Sequence, residues 1–266
     1  MNLELEKILE QTSYINPSRY ISGRIVEYDI KAANINILYE AGAINNKLYN
    51  YLLFLPKNDR EVYIGKLIKS DNRYYECIKS GIISAKKKLI QYNGNIEVPD
   101  IVRIANDAVY INKSYDLKNT KFGNIEFKKS NPYSSMIWLQ SKGTNLLIFF
   151  YYNNNGINID VKGINTQCQL LHANYMLTFI ANVIYNLEKV SLEDALNIVS
   201  SFYEDYINMR LPLGYYRELN SMSLYRLKYT DFAVECPGNE PVDINFNLYI
   251  IRDLYSILLE LYNNRL

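Results

Sequence analysis

The sequence predicts an α+β protein: an antiparallel sheet with short helices comes first, and a mostly helical portion follows. Three observations predict it. Apolar runs of strand length, separated by turn signals such as Asn106-Asp107 and Asn155-Gly156, crowd the stretch from 100 to 163. Helical periodicity dominates after Gly163. Upstream of both, one extended run, Arg24–Ile30, passes directly into a helix-like pattern.

Taken in order, Leu3 to Gln11 reads as a short amphipathic helix, and Asn16-Pro17-Ser18 as a turn. Strand Arg24–Ile30 is followed by Ile35, Leu38 and Tyr39 at helical spacing, with Gly42 placed to end that helix. Residues 57–72 are polar and turn-rich. Asp71 is a candidate cap for a longer helix whose apolar face is Tyr75, Ile78, Ile82, Ala85 and Leu89. Lys79, Lys86, Lys87 and Lys88 fall on or around its polar side, which reads as a solvated surface, and Asn93-Gly94 closes it. Strands are expected at Ile101–Ala105, Ala108–Asn112, Phe122–Phe127, Ser134–Leu139, Leu146–Tyr152 and Ile157–Lys162. Helices are expected over about 166–189, 192–209 and 247–263, with a domain boundary near 164.

Composition narrows the function classes. Lys and Arg number 29 against 28 Asp and Glu, so net charge points to neither a nucleic-acid nor a membrane partner, although a local basic groove stays open. Cys77, Cys168 and Cys236 are far apart and form no metal-like cluster; with no signal peptide expected, free thiols in a reducing cytoplasm are expected. No apolar run nears the ~20 residues that span a bilayer. The abundance of Tyr, Asn, Ile and Lys is the bias of AT-rich coding, common in phages and low-GC bacteria. The single histidine, His172, lies in a helical pattern and reads as structural, which disfavours a His-based triad or metal site.

The candidate chemistry rests on two acids. Asp29 stands at the end of the first strand, and Asp107 at the bend of the Ile101–Ile111 hairpin, 78 positions later. Acids presented from adjacent strand ends can hold two divalent cations roughly 3.5–4 Å apart, the arrangement used for phosphoryl transfer. The plainer alternative is that Asp29 caps the helix that follows and Asp107 only shapes a turn.

Four segments, in order, resemble the polymerase motifs of family B DNA polymerases, particularly divergent phage versions. Tyr28-Asp29-Ile30-Lys31-Ala32-Ala33-Asn34-Ile35-Asn36-Ile37-Leu38 resembles the first motif, a strand and metal-binding Asp followed by an S-x-Y-P-S-I-L-like helix start. Lys79-Ser80-Gly81-Ile82-Ile83-Ser84-Ala85 is similar to the helical K-x-x-x-N-S-x-Y-G motif of the fingers. Ala105-Asn106-Asp107-Ala108-Val109-Tyr110 resembles the D-T-D-S-V-Y hairpin, and Asp160-Val161-Lys162-Gly163-Ile164 the K-G-I element near the palm–thumb junction. The match covers about residues 20–165.

The resemblance implies a palm with reduced fingers over 1–164 (fingers about 57–94) and a helical, thumb-like domain over 165–266. It implies template-directed nucleotidyl transfer onto a primer 3′-OH by a minimal or split DNA polymerase subunit. Asp29 and Asp107 would be the catalytic metal ligands, with the Ile30 carbonyl a third oxygen, for two Mg2+ or Mn2+ ions. Lys79 would meet the incoming nucleoside triphosphate, and Asn34 would stand where a tyrosine packs under the sugar. Lys162 and Gly163 would touch the primer–template. Tyr216 and Arg217, after a Pro/Gly loop in the thumb-like portion, are candidate base-stacking and phosphate contacts. A second polymerase or replication subunit is the expected partner, in the cytoplasm of an infected bacterial host.

Ala105 replaces the first aspartate of the hairpin motif, Ser84-Ala85 lacks the fingers' tyrosine and glycine, and Asn145-Leu146-Leu147-Ile148 lacks a base in the primer-gripping strand. Two alternatives follow from these departures: an inactive palm-derived nucleic-acid-binding or virion-assembly subunit, and, from Asn34, a primase or RNA polymerase subunit.

Overall fold

The computed structural model describes residues 2–141, 143–154, 156–216, 219 and 246–264, with backbone alone for 228–230 and 233–235. The chain is a mixed α/β protein with a large antiparallel sheet and, among the described residues, nine α-helices. It forms two compact units, Met1–Pro17 with Gly23–Pro132, and Ser18–Ser22 with Tyr133–Leu266.

The first unit opens with α1 (Leu3–Leu9), capped by the Asn2 side chain, which accepts from the Glu4 N–H at 3.0 Å. Next come β1 (Ser13–Ile15) and β2 (Tyr20–Ile30), whose residues from Gly23 onward belong to this unit. Four helices follow: α2 (Ala33–Glu40), α3 (Asn46–Phe54), α4 (Lys57–Ser70) and α5 (Arg73–Asn93). The expectation of a polar, turn-rich stretch over 57–72 is corrected: residues 57–70 form α4. Ile64 is its one buried residue, so the helix carries too narrow an apolar stripe to register as a period. The α5 helix begins where the Asp71 carboxylate accepts from the Arg73 N–H at 2.9 Å and stops at Gly94.

The unit's remaining strands are β3 (Ile101–Ala105), β4 (Ala108–Asn112), β5 (Lys121–Phe122) and β6 (Ile125–Lys129). The single strand expected over Phe122–Phe127 is instead a hairpin folded at Gly123, where φ is +61° and an added Cβ would lie 2.4 Å from the Glu40 carboxylate. Antiparallel pairing sets the order β1-β3-β4-β2-β6-β5. One face of β2, Val26, Tyr28 and Ile30, packs with Leu5 and Leu9 of α1 and Leu89 and Ile90 of α5 in one core. Burying each such aliphatic side chain contributes about 1.5–3 kcal/mol before the cost of ordering it.

The second unit contains the meander β7 (Tyr133–Ser141), β8 (Thr144–Asn153) and β9 (Gly156–Lys162). Then come α6 (Thr166–His172), α7 (Met176–Lys189), α8 (Leu192–Ile207), the short pair β10 (Lys228–Thr230) and β11 (Ala233–Glu235), and α9 (Phe246–Asn263). The helical stretch expected over 166–189 breaks between α6 and α7, where Tyr175 leaves helical geometry at φ −130° and ψ −110°.

The second unit takes up the chain from Tyr133, and the reason is packing. Ile137, Leu146, Ile148 and Phe150 of the meander share one core with Ile180, Val199 and Leu254 of α7, α8 and α9. Alternation in a strand reveals that one face is buried, but not which later helices bury it. His172 is fully buried in this unit. Cys77 and Cys168 are free thiols, and Cys236 lies outside the described residues. No helix among the described residues is long and apolar enough to cross a membrane.

After β9 the backbone turns at Gly163 with φ +103°, and an added Cβ would lie 2.0 Å from the Asn145 carbonyl oxygen. Gly163→Ala therefore strains both conformation and space. A denaturant melt is expected to show a loss of more than about 1 kcal/mol.

Candidate functional site

β2 delivers Asp29 one residue before its end, and the turn between β3 and β4 delivers Asp107. Asp29 stands opposite Ala108, and the Ile30 N–H donates to the Asp107 carbonyl at 3.3 Å. The two acids thus emerge at one sheet end from neighbouring strands. Asn106 makes the tight turn, with φ +54°, a left-handed geometry that Asn accepts more readily than most residues. Its N–H donates to the Thr12 carbonyl at 2.7 Å, so the segment before β1 steadies the turn.

The helix after β2 is started without Asp29. Helix α2 begins from Ala32 (φ +43°), which makes no side-chain cap. The buried Asn36 amide donates to the Lys31 carbonyl at 2.7 Å and accepts from the Tyr49 hydroxyl at 3.0 Å. The capping alternative for Asp29 is thereby set aside. Asp107 lies in the turn between β3 and β4, where its own backbone N–H favours the charged carboxylate. A carboxylate has acceptor capacity for further partners.

Both carboxyl groups are half-buried, and burial is the first cause that pushes both above the ordinary carboxylate range. Asp29 is pushed up to about 6; the negative charges of Asp107 and Glu27 add to burial, while Lys57 and Lys128 oppose it. Asp107 is raised by burial and then by Glu61, against its own N–H, Lys57 and Lys86. A pair of acids so destabilised gains from any cation that neutralises both.

Lys128 is Asp29's cross-strand partner on β6, so both side chains stand on the same face. Lys57 and Glu61 are on α4, and Glu61 accepts from the Asn34 amide at 3.0 Å. A cavity of about 170 Å³ lies beside the hairpin, with Asn34, Asn106, Lys79 and Lys86 among its polar lining and Ile78 and Ile82 on its apolar wall. Asn34 and Lys79, distant in sequence, therefore face one space.

Lys86 corrects the expectation of a solvated lysine row. It is 1% exposed, and its ammonium donates to the Gln11 carbonyl at 2.8 Å. Burial is the main reason that its amine is pushed down to about 8. Lys79 and Lys88 are exposed, and Lys87 pairs with Glu10 at 2.7 Å. The signal for Lys86 was its position, four residues after Ile82 and three before Leu89, inside the apolar stripe. Glu61, Lys57 and Lys128 carried no comparable signal, since their relevance depends on which elements pack together.

The other sequence candidates belong to the second unit. Lys162 pairs with Asp160 at 3.0 Å on its own strand. Tyr216 is buried, with its ring centroid 4.8 Å from that of Tyr206, so it is a packing residue and not a surface for stacking bases. Arg217 lies outside the described residues.

No group of three His, Cys, Asp or Glu side chains gathers as a metal site among the described residues. Mg2+ does not require one: it is commonly held by one or two carboxylates, with waters and substrate phosphates completing its octahedron. Asp29 and Asp107 at one sheet end, both favoured by neutralisation, fit that donor set.

A family model described as Bacteriophage PBS1 gene 130 protein matches residues 4–263 of the chain. No curated protein matches it.

Proposed function

The chain belongs to the family of the bacteriophage PBS1 gene 130 protein, a phage protein family, and from its pair of acids we propose template-directed nucleotidyl transfer onto a primer 3′-hydroxyl. The observation that carries this reading is the meeting of Asp29 and Asp107 at adjacent strand ends, each destabilised as an anion. The cavity lined by Asn34 and Lys79 supports it. In this reading residues 1–164 are a palm with reduced fingers at about 57–94, and 165–266 are a thumb-like domain.

Two bound Mg2+ or Mn2+ ions would supply activation of the 3′-hydroxyl and charge neutralisation at the phosphoryl group. Asp29 and Asp107, with the Ile30 carbonyl, would hold those ions. The 3′-oxygen bonds to the α-phosphorus, the α–β bridge breaks, pyrophosphate leaves, and the hydroxyl proton passes to solvent. Lys79 meets the triphosphate as a point charge, and Asn34 lies under the sugar. Lys162 and Gly163 contact the primer–template backbone, and a further replication subunit completes the assembly.

Primer extension with Mg2+ or Mn2+, run with deoxy- and ribonucleotides in separate reactions, tests this. Template-dependent incorporation is expected. Ribonucleotide incorporation at a comparable rate would favour a primase or RNA polymerase subunit, the reading that Asn34 in the cavity supports. Primer–template binding without incorporation would instead favour an inactive palm-derived binding or virion-assembly subunit. Ala105, in place of the hairpin motif's first aspartate, supports that alternative.

A further inference from the structure

We infer that Lys86 is a positioning residue for the acid pair: its buried ammonium anchors residues 11–12 to α5, and those residues hold the hairpin tip that carries Asp107. The inference rests on the nucleotidyl-transfer reading for its catalytic meaning, but not for its mechanical part.

The path is continuous. The Lys86 Nζ donates to the Gln11 carbonyl at 2.8 Å. The next carbonyl, that of Thr12, accepts from the Asn106 N–H at 2.7 Å. Ser13, Tyr14 and Ile15 then pair with Ala105, Ile104 and Arg103, completing the support of β3. Asn106 is bonded covalently to Asp107, whose carbonyl accepts from the Ile30 N–H beside Asp29. Each acid is therefore located by the same ladder, and at residue 11 Lys86 supplies the buried side-chain bond to it.

The choice of lysine is informative. Position 86 lies in the apolar stripe of α5, next to buried Ala85 and close to buried Leu89 and Ile90. An aliphatic side chain of similar length would fill the space without desolvating a charge. An ammonium adds what an aliphatic chain cannot, a directed bond to a loop carbonyl. The neighbouring Lys87–Glu10 pair reaches the same segment from the surface, with side chains 27% and 53% exposed, and such pairs contribute little.

Amide hydrogen exchange on the full chain decides it. Lys86→Met is expected to speed exchange of the Asn106 amide by about tenfold or more while leaving the Phe149 and Ile148 amides of β8 unchanged. Mn2+ affinity, read by electron paramagnetic resonance, is expected to fall about tenfold, as for other residues that orient metal ligands. Lys87→Met is expected to change neither. Uniform acceleration across the protein, or an unaltered Asn106 rate, would overturn the inference. Should Lys86→Met fail to fold, Lys86→Leu, which likewise has no donor, is measured instead against the same two criteria. Primer extension by the unsubstituted chain is run alongside: its absence counts against the transferase reading, whereas the exchange rates alone decide the anchor.

Discussion

Asp107→Ala is expected to lower primer extension by roughly three orders of magnitude or more, equivalent to ~4 kcal/mol of transition-state stabilisation, while primer–template affinity changes little. The size follows from placement: Asp107 is one of two side chains proposed to hold the cations, so removing it removes the charge that localises them. Asp107→Asn is the sharper variant. It keeps a residue that suits the turn but not the negative charge. A comparable loss for both variants assigns the effect to charge. Survival of activity in Asp107→Asn would assign Asp107 to the turn and remove the metal role. Binding to labelled primer–template, measured beside extension, separates either result from unfolding.

The second large effect is a pH dependence with opposite signs for activity and stability. The folded chain holds the Asp29 proton up to about pH 6, against an ordinary value of 3.8. A folded state that binds a proton more tightly than the unfolded chain is stabilised by it at low pH. That stabilisation is complete below about pH 4 and is lost as pH rises through about 6. Extension should do the reverse, climbing through about pH 6 as Asp29 ionises and levelling off above it. Asp29→Asn is therefore expected to abolish extension and to stabilise the fold at pH 7.5. The gain should be about 1 kcal/mol, after discounting for the solvent that reaches the carboxyl, and should vanish near pH 3.5. Mg2+ should raise the melting temperature of the unsubstituted chain at pH 7.5, but not that of Asp29→Asn. A melting temperature for the Asp29→Asn variant equal to or below the parent's at pH 7.5 would contradict the placement of Asp29 as a destabilised anion.

Much of the fold was legible in the sequence. Strands β3, β4, β7, β8 and β9 follow from alternation and turn residues, and α5, α8 and α9 from their apolar periods. The two acids' places at strand ends were legible because each stands where an apolar run stops. What escaped was whatever depends on partners. Helix α4 has one buried residue, so its helicity comes from context and from its own good helix formers, not from an apolar stripe. β1 is three residues long and is defined only by its pairing with β3. Lys86 looked like one of a lysine row until the loop carbonyl opposite it was known. Tyr216 was a candidate for base stacking because it follows a Pro/Gly loop, yet its hydroxyl accepts from the Leu211 N–H at 3.0 Å and its ring is core.

The chain passes from one unit to the other after Pro17, returns after Ser22, and leaves again after Pro132. Five residues of an otherwise N-terminal segment are thus on loan to the C-terminal unit. Arg19 there donates to the Trp138 carbonyl at 2.9 Å and pairs with Asp253, and the Tyr20 hydroxyl donates to Glu188 at 3.0 Å. A fragment ending at Pro132 would carry these donors away from their acceptors, and one starting at Tyr133 would lack them. Any attempt to express the halves separately should therefore duplicate residues 18–22 on the second piece or co-produce both for complementation.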